Sequence, residues 1–320
     1  MSHGAASAVP LRHRIEYAAF RLARAFLTAM PEGMAVRIGA GLGLVAGSIL
    51  RIRRSTVREN LEIAFPGQTA TWRRRVARRC YVHLGREAVF LMRMKRWSAE
   101  QVTERMRVVG ADTLSAEAGR GQGIVILSAH HGNWELAGAA LAALGFPLDV
   151  VGKGMTNRLF EADVFETRER LGMRVIEMSD APRTVLRSLG RGRVVAMLSD
   201  QNAHRSGVFV RFFDRLAATP RGAALFAIRR GAPVFVGLAT REPGRAQRYR
   251  LELRRLEYAV TGDREADTLA LLTAYHRSVE EAIVAAPEQY FWHHKRWKTR
   301  PPEEQAAPSQ VRIPESHTAP

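Results

Sequence analysis

At 320 residues and 35.7 kDa, with 46% hydrophobic and 25% charged residues, the chain has the composition of a folded globular protein, which excludes wholesale disorder. A single cysteine, Cys80, excludes a disulfide scaffold and a cysteine-based zinc site. The 49 Lys and Arg against 31 Asp and Glu leave a net charge of +18, which calls for an anionic partner: nucleic acid, an anionic membrane surface, or an acidic carrier or substrate.

The excess is concentrated early, since residues 1–100 carry 18 Lys and Arg against 6 Asp and Glu. Met1 to Pro10 offers no charged segment leading into an apolar run, so no secretory signal is expected. From Arg12 to Met30, Ile15, Ala18, Phe20, Leu22, Ala23, Phe26 and Leu27 recur at helical spacing between Arg12, Arg14, Arg21 and Arg24, which predicts a basic amphipathic helix. Met34 to Leu50 is apolar apart from Arg37 and carries Gly39, Gly41, Gly43 and Gly47; it is short of the roughly 20 apolar residues a spanning helix needs, so it reads as interfacial or buried. Two arginine clusters follow, Arg51, Arg53, Arg54 and Arg58, then Arg73, Arg74, Arg75, Arg78 and Arg79 on a helix continuing through Leu91. Basic clusters beside an apolar amphipathic segment point to an anionic cytoplasmic leaflet rather than to nucleic acid, for which no binding module is visible.

From residue 105 the pattern changes. Val108–Val109, Ile124–Leu127, Leu148–Val151, Met173–Ile176, Val194–Leu198, Ala232–Leu238 and Tyr249–Leu256 read as strands, several of them buried on both faces. Helices are expected at Glu135–Leu144, Leu159–Leu171, Thr184–Leu189 and Thr268–Ala285. This alternation predicts an α/β fold with a mixed, mostly parallel central sheet flanked by helices. Three regions follow: a basic helical, membrane-associated segment at 1–104, an α/β core at 105–300, and a Pro-rich disordered tail at 301–320.

No G-x-S-x-G, H-E-x-x-H, phosphate-binding P-loop or dinucleotide-binding glycine motif is present, and the adjacent pairs His130–His131 and His293–His294 have the wrong spacing to chelate a metal from one helix face. What stands out is Ser128-Ala129-His130-His131-Gly132-Asn133-Trp134-Glu135, where an apolar strand ends and a helix begins. In open α/β sheets, ligands bind at the carboxyl ends of strands, and a helix N-terminus there favours anionic groups. Gly132 lets the chain turn and a substrate approach the backbone. His130 with a carboxylate, and no Ser or Cys nucleophile, suggests a general base that deprotonates a substrate hydroxyl.

The segment His130–Glu135 resembles the H-x4-[DE] signature of glycerolipid-type acyltransferases, in the form carried by the bacterial lipid A biosynthesis acyltransferase family. Four further segments are similar to that family in order: Asn60-Leu61-Glu62-Ile63-Ala64-Phe65-Pro66; Asn157 with Arg168 ahead of Leu171-Gly172; Ser199-Asp200-Gln201-Asn202 with Phe212-Phe213 and Ala218-Thr219-Pro220; and the closing run from Pro287-Glu288-Gln289-Tyr290 to Arg300-Pro301. The resemblance spans roughly residues 10–302. Lys153, where the family usually has Arg, and Arg158, where Pro often follows the Asn, depart from its pattern in the expected substrate wall.

The resemblance implies transfer of a fatty acyl group from an acyl-carrier-protein thioester or acyl-CoA to a hydroxyl of a membrane glycolipid, with a lipid A precursor or a phosphatidylinositol mannoside as acceptor. His130 would be the base. Either Glu135 or Asp200 would orient its imidazole, with Asp200 favoured because strand ends converge on one crevice. Backbone N–H groups after Gly132 or the Asn133 side chain would stabilise the oxyanion, with Arg168 nearby, and Lys153, Asn157 and Gln201 complete the expected substrate-binding set. No metal or bound cofactor is required, and a monomer on the cytoplasmic face of the inner membrane is expected. The aromatic and basic residues Tyr290–Lys298 suit a headgroup-level surface.

Overall fold

The computed structural model describes residues 9–244 and 247–302; the proline-rich tail expected at 301–320 falls, from 303 onward, outside them. Four helices come first: α1 (Leu11–Ala29), α2 (Glu32–Ser48), α3 (Arg54–Ala64) and α4 (Ala70–Met94). The short α5 (Ala99–Thr103) leads into β1 (Met106–Val109), α6 (Ala111–Ala118), β2 (Ile124–Ser128), α7 (Trp134–Ala143), β3 (Leu148–Gly152), α8 (Arg158–Arg170) and β4 (Arg174–Glu177). After α9 (Ala181–Leu189) and β5 (Val194–Leu198) the chain forms a hairpin of β6 (Val208–Phe212) and β7 (Arg215–Thr219). It closes with α10 (Gly222–Arg230), β8 (Val234–Arg241), β9 (Tyr249–Arg255) and α11 (Arg264–Ala285).

Seven strands form one sheet in the order β1-β9-β8-β2-β5-β3-β4, parallel except for the antiparallel β8–β9 pair. The continuous apolar run Ile124–Leu127 is explained by its place at the centre. Val125 and Leu127 pack with α9, α10 and α11, while Ile124 and Ile126 pack with α7 on the other face. All four are fully or almost fully buried, worth about 2 kcal/mol each.

The N-terminal helices are not a separate layer of loose surface. Val57, Leu61, Val76 and Tyr81 of α3 and α4 belong to the same core as β2, β5 and β8. The glycines in the apolar stretch set how α2 meets α4. A Cβ on Gly43 would lie 2.0 Å from the Tyr81 carbonyl oxygen, and one on Gly85 would lie 2.0 Å from that of Gly39, so the two backbones touch where side chains would otherwise hold them apart. Among the described residues no helix is long and apolar enough to cross a membrane.

Candidate active site

Strands β2 and β5 are parallel neighbours with Ser128 opposite Leu198, so the residues two positions further on, His130 and Asp200, leave the sheet at the same level. Gly132 has φ +60°, and a Cβ there would lie 1.7 Å from the carbonyl oxygen of Ala239 on β8. The close approach that requires glycine is therefore to the neighbouring strand end, and not to a substrate.

His130 Nδ1 lies 2.8 Å from Asp200 Oδ1, and the His130 backbone N–H donates to Asp200 Oδ2 at 3.0 Å. A carboxylate can only accept, so Nδ1 carries the hydrogen and Nε2 presents its lone pair to the crevice. There the Gln201 amide lies 3.3 Å away, and the rings of Trp134 and Phe291 stand 4.9 and 6.0 Å from the imidazole. Burial opposes charge on His130, but the Asp200 carboxylate, by its charge and hydrogen bond, with Glu135 adding to it, outweighs burial and holds the imidazole pKa above its ordinary value. Burial likewise opposes ionisation of Asp200, and is outweighed by His130 and, at longer range, by the buried Arg296. The only cysteine is no rival nucleophile: Cys80 is buried and its thiol is pushed up to about 12 by desolvation.

Glu135 holds neither ring nitrogen of His130. It forms a two-pronged pair with Arg168 of α8, with Nε to Oε2 at 2.9 Å and Nη2 to Oε1 at 2.5 Å, both side chains mostly buried. This pair joins the first turn of α7 to α8. Removing one partner leaves a largely buried guanidinium uncompensated, at a cost of about 3 kcal/mol. We therefore expect Glu135→Gln to lower the melting temperature by several degrees, and the double variant with Arg168→Gln to recover most of that loss in a thermal melt. Failure of the double variant to recover would mean the two side chains do not act as a pair.

The remaining sequence candidates divide. Asn133 faces away from the crevice: its Oδ1 accepts the Leu136 N–H to cap α7, and its Nδ2 donates to Glu87 at 2.7 Å. Asn157 caps α8 through the Leu159 N–H and donates to the His13 carbonyl and to Glu16, tying α8 to α1. Lys153 is exposed just beyond β3, at the same carboxyl edge of the sheet as His130. Gln201 is the one member of the expected substrate set beside the imidazole.

Two features escaped the sequence. Glu87 of α4 is mostly buried and accepts from Asn133 and from the Tyr249 hydroxyl at 2.8 Å, and desolvation, partly offset by these bonds and by Arg241 and Arg86, raises its pKa to about 7. The available signal was its position as the sole acid between Glu62 and Glu100 in an arginine-rich helix. The second is the closing run, where the expectation of a headgroup-level surface is overturned. Trp292 and Arg296 are 0% and 1% exposed, and Tyr290, His293 and Trp297 are buried as well. The run clamps the site loops. Phe291 N–H donates to the His130 carbonyl at 2.9 Å, the His294 ring accepts the Asn202 N–H at 2.9 Å, and Asn60 donates to the Trp292 and His294 carbonyls. Aromatic residues with an occasional cation look alike at a membrane interface and in a core; here backbone bonds to the site loops decided for the core.

Behind Trp134 lies an apolar cavity of about 70 Å³ lined by Ile126, Ala137, Gly138, Val150, Met173 and Ala196. A second of about 220 Å³ is walled by Phe20, Leu91, Met92, Val164 and Leu171 between α1, α4 and α8. Glu135, Arg168 and Met173 border both.

The family model for bacterial lipid A biosynthesis acyltransferases matches residues 10–299. The chain is 28% identical over 276 residues to the lipid A biosynthesis palmitoleoyltransferase of Escherichia coli (strain K12), covering 85% of this chain and 87% of that protein. It is 27% identical to the lauroyltransferase of the same organism, over 85% of this chain and 88% of the relative. The phosphatidylinositol mannoside acyltransferase of Mycolicibacterium smegmatis is 27% identical over 71% of this chain and 75% of its own length. With a match that takes in every strand and helix described above, the chain is an acyltransferase of the bacterial lipid A biosynthesis acyltransferase family.

Proposed function

We propose that the protein transfers a fatty acyl group from a thioester donor, acyl carrier protein or acyl-CoA, to a hydroxyl of a lipid A precursor, with His130 as general base. The observation that carries this reading is the His130–Asp200 pair with Nε2 turned to a crevice that backs onto an apolar cavity. The substrate oxygen attacks the thioester carbonyl carbon while Nε2 takes its proton. The tetrahedral intermediate then collapses with cleavage of the C–S bond, and the imidazolium returns the proton to the departing thiolate. The Trp134 and Glu135 N–H groups, in the first turn of α7 and without an acceptor among the described residues, can face the developing oxyanion; the Gly132 N–H is already given to the Gln289 carbonyl. The cavity behind Trp134 supplies apolar surface for the start of the acyl chain.

The lipid A acceptor is supported by two of these relatives, which are named for lipid A biosynthesis. A mannoside acceptor is the second reading, supported by the mycobacterial relative. Mass spectrometry of lipid extracts from cells with and without the protein separates them. A gain of one acyl chain on a lipid A precursor supports the first, and the same gain on a phosphatidylinositol mannoside replaces it with the second.

The protein would work as a peripheral enzyme on the cytoplasmic face of the inner membrane. Leu22 and Phe26 of α1 are 74% and 64% exposed, on a helix that also carries Arg14 and Arg21. Exposed charge is screened within about 10 Å at 0.1 M salt, so sedimentation with anionic vesicles should weaken as salt rises. Leu22→Glu with Phe26→Glu should weaken vesicle binding at every salt concentration without altering the melting temperature. Deleting α2 is the poorer test, because it would uncover the Gly85 face of α4. Retention of the wild type through high salt and alkaline carbonate would contradict peripheral binding.

A further inference from the structure

The two arginine clusters, separate in sequence, line one groove. The turn after α2, the start of α3 and the start of α4 enclose about 960 Å³, with Arg51, Arg54, Arg58, Arg73, Arg74 and Arg78 at the walls. The floor is apolar, formed by Leu44, Val57, Leu61, Ala77 and Tyr81. Among the described residues Glu62 is the only acid in the lining, 3.7 Å from Arg58. Arg73 is spent on the carbonyls of Phe65 and Gln68, and Arg74 reaches Thr71, but the side chains of Arg51, Arg54 and Arg78 make no hydrogen bond or ion pair with any described residue.

Cations here are in the wrong place for the protein alone. The first turn of α3 contains no acid and no side-chain cap, so its free N–H groups add positive field to the arginines instead of opposing it. The turn that presents them is itself strained: Arg51 and Arg53 have φ +53° and +56°, a region that costs side-chain-bearing residues about 1 kcal/mol or more each. It is held there by the Tyr81 hydroxyl, which donates to the Ile52 carbonyl at 2.5 Å, and by the Ile52 N–H, which donates to the Ala46 carbonyl. Charge that disfavours the fold, built on a strained and pinned turn, marks a site completed by something anionic.

Its neighbours say what kind of anion. Ile49, Leu50 and Ile52 alternate with the arginines and are 70%, 63% and 51% exposed. Three neighbouring aliphatic side chains this far exposed beside arginines match the boundary between acyl chains and headgroups, which accepts both halves. We infer that the α3–α4 groove binds the phosphate-bearing headgroup of a membrane lipid, gripped by Arg54 and Arg78, while Ile49, Leu50 and Ile52 enter the acyl boundary. This rests on the peripheral membrane reading above and sharpens it from a diffuse field to a built site.

The two are separated by keeping the charge and changing its shape. Lysine retains the positive charge but loses the planar fork that grips phosphate with two N–H groups. Arg54→Lys with Arg78→Lys should therefore weaken binding to phosphatidylcholine vesicles containing phosphatidylglycerol about tenfold. Arg75→Lys with Arg79→Lys, on the same helix but outside the groove lining, should leave it unchanged. Vesicles of diacylglycerol-based galactolipid given the same surface potential by oleate, and so free of phosphate, should not distinguish the two double variants. Equal binding by both double variants to the phosphatidylglycerol vesicles would overturn the site while sparing membrane association. No binding by the wild type would overturn both. A groove variant that loses affinity for purified acyl carrier protein, and none for the vesicles, would reassign the groove to a protein partner.

Discussion

Substituting His130 by alanine should abolish acyl transfer, by at least 10²–10⁴-fold, the range expected for removal of a general base. The hydroxyl of a glycolipid is a weak nucleophile near neutral pH, and among the described residues no other side chain bonded to Nε2 can take its proton: Gln201 offers only an amide, and Cys80 is buried and protonated. The fold should survive. The His130 backbone makes the contacts that organise the loop, its N–H to Asp200 and its carbonyl to Phe291, and alanine keeps both. The measurement is single-turnover transfer from a labelled thioester, with circular dichroism and vesicle binding as controls. An alanine variant retaining half the wild-type rate would remove His130 from the mechanism.

Asp200→Asn is expected to cost nearly as much for a different reason. In the wild type both Asp200 oxygens accept, one from the His130 ring and one from its backbone. Asparagine has one accepting oxygen, so its NH2 must face one of these two donors. Relief comes from turning the imidazole to the tautomer protonated on Nε2, which cannot act as base. A loss of about 10²–10⁴-fold follows. The pH profile gives a sharper signature. With His130 as the base, transfer would require its neutral form, whose pKa Asp200 holds above the ordinary value, so wild-type activity should rise with pH through that elevated pKa. Without the carboxylate the imidazolium loses its counter-charge, and the rising limb should move to lower pH while the plateau falls. Stability runs the other way. The contribution of the charged pair is complete below the unfolded histidine pKa and is lost as pH rises through the folded one. An unmoved limb would show that Asp200 does not set the protonation of the base.

Much of the sheet was legible because central strands cannot hide: Ile124–Leu127 and Val194–Leu198 are apolar on both faces, and helices between successive strands supply the long crossovers that parallel pairing needs. The β6–β7 hairpin was not legible. Its two-residue turn, Phe213-Asp214, has φ +49° and +57°, a conformation usually supplied by Asn-Gly. Here it is imposed from outside, by Glu280 accepting the Phe213 N–H and by packing of the Phe213 ring on Phe65. In the site, the meeting of His130 with Asp200 followed from strand ends. The division of labour between the two carboxylates did not, because Glu135 could reach either the imidazole or Arg168 and only the position of α8 decides. Asn133 and Asn157 were natural substrate ligands by type, but an asparagine ahead of a helix is also a natural cap, and here both serve as caps.

The clamp formed by the closing run fixes when the enzyme can exist at all. Asn60 bonds to the Trp292 carbonyl across 232 residues, and the His130 loop leans on Phe291, so the support of the proposed base is among the last described parts of the chain to be synthesised. An incomplete chain can assemble β2, β5 and their hydrogen bonds, but its site loops remain unbraced. A chain released short of Trp292 should therefore lack acyl transfer, and a truncated chain that transfers at the full-length rate would show that the clamp is not needed.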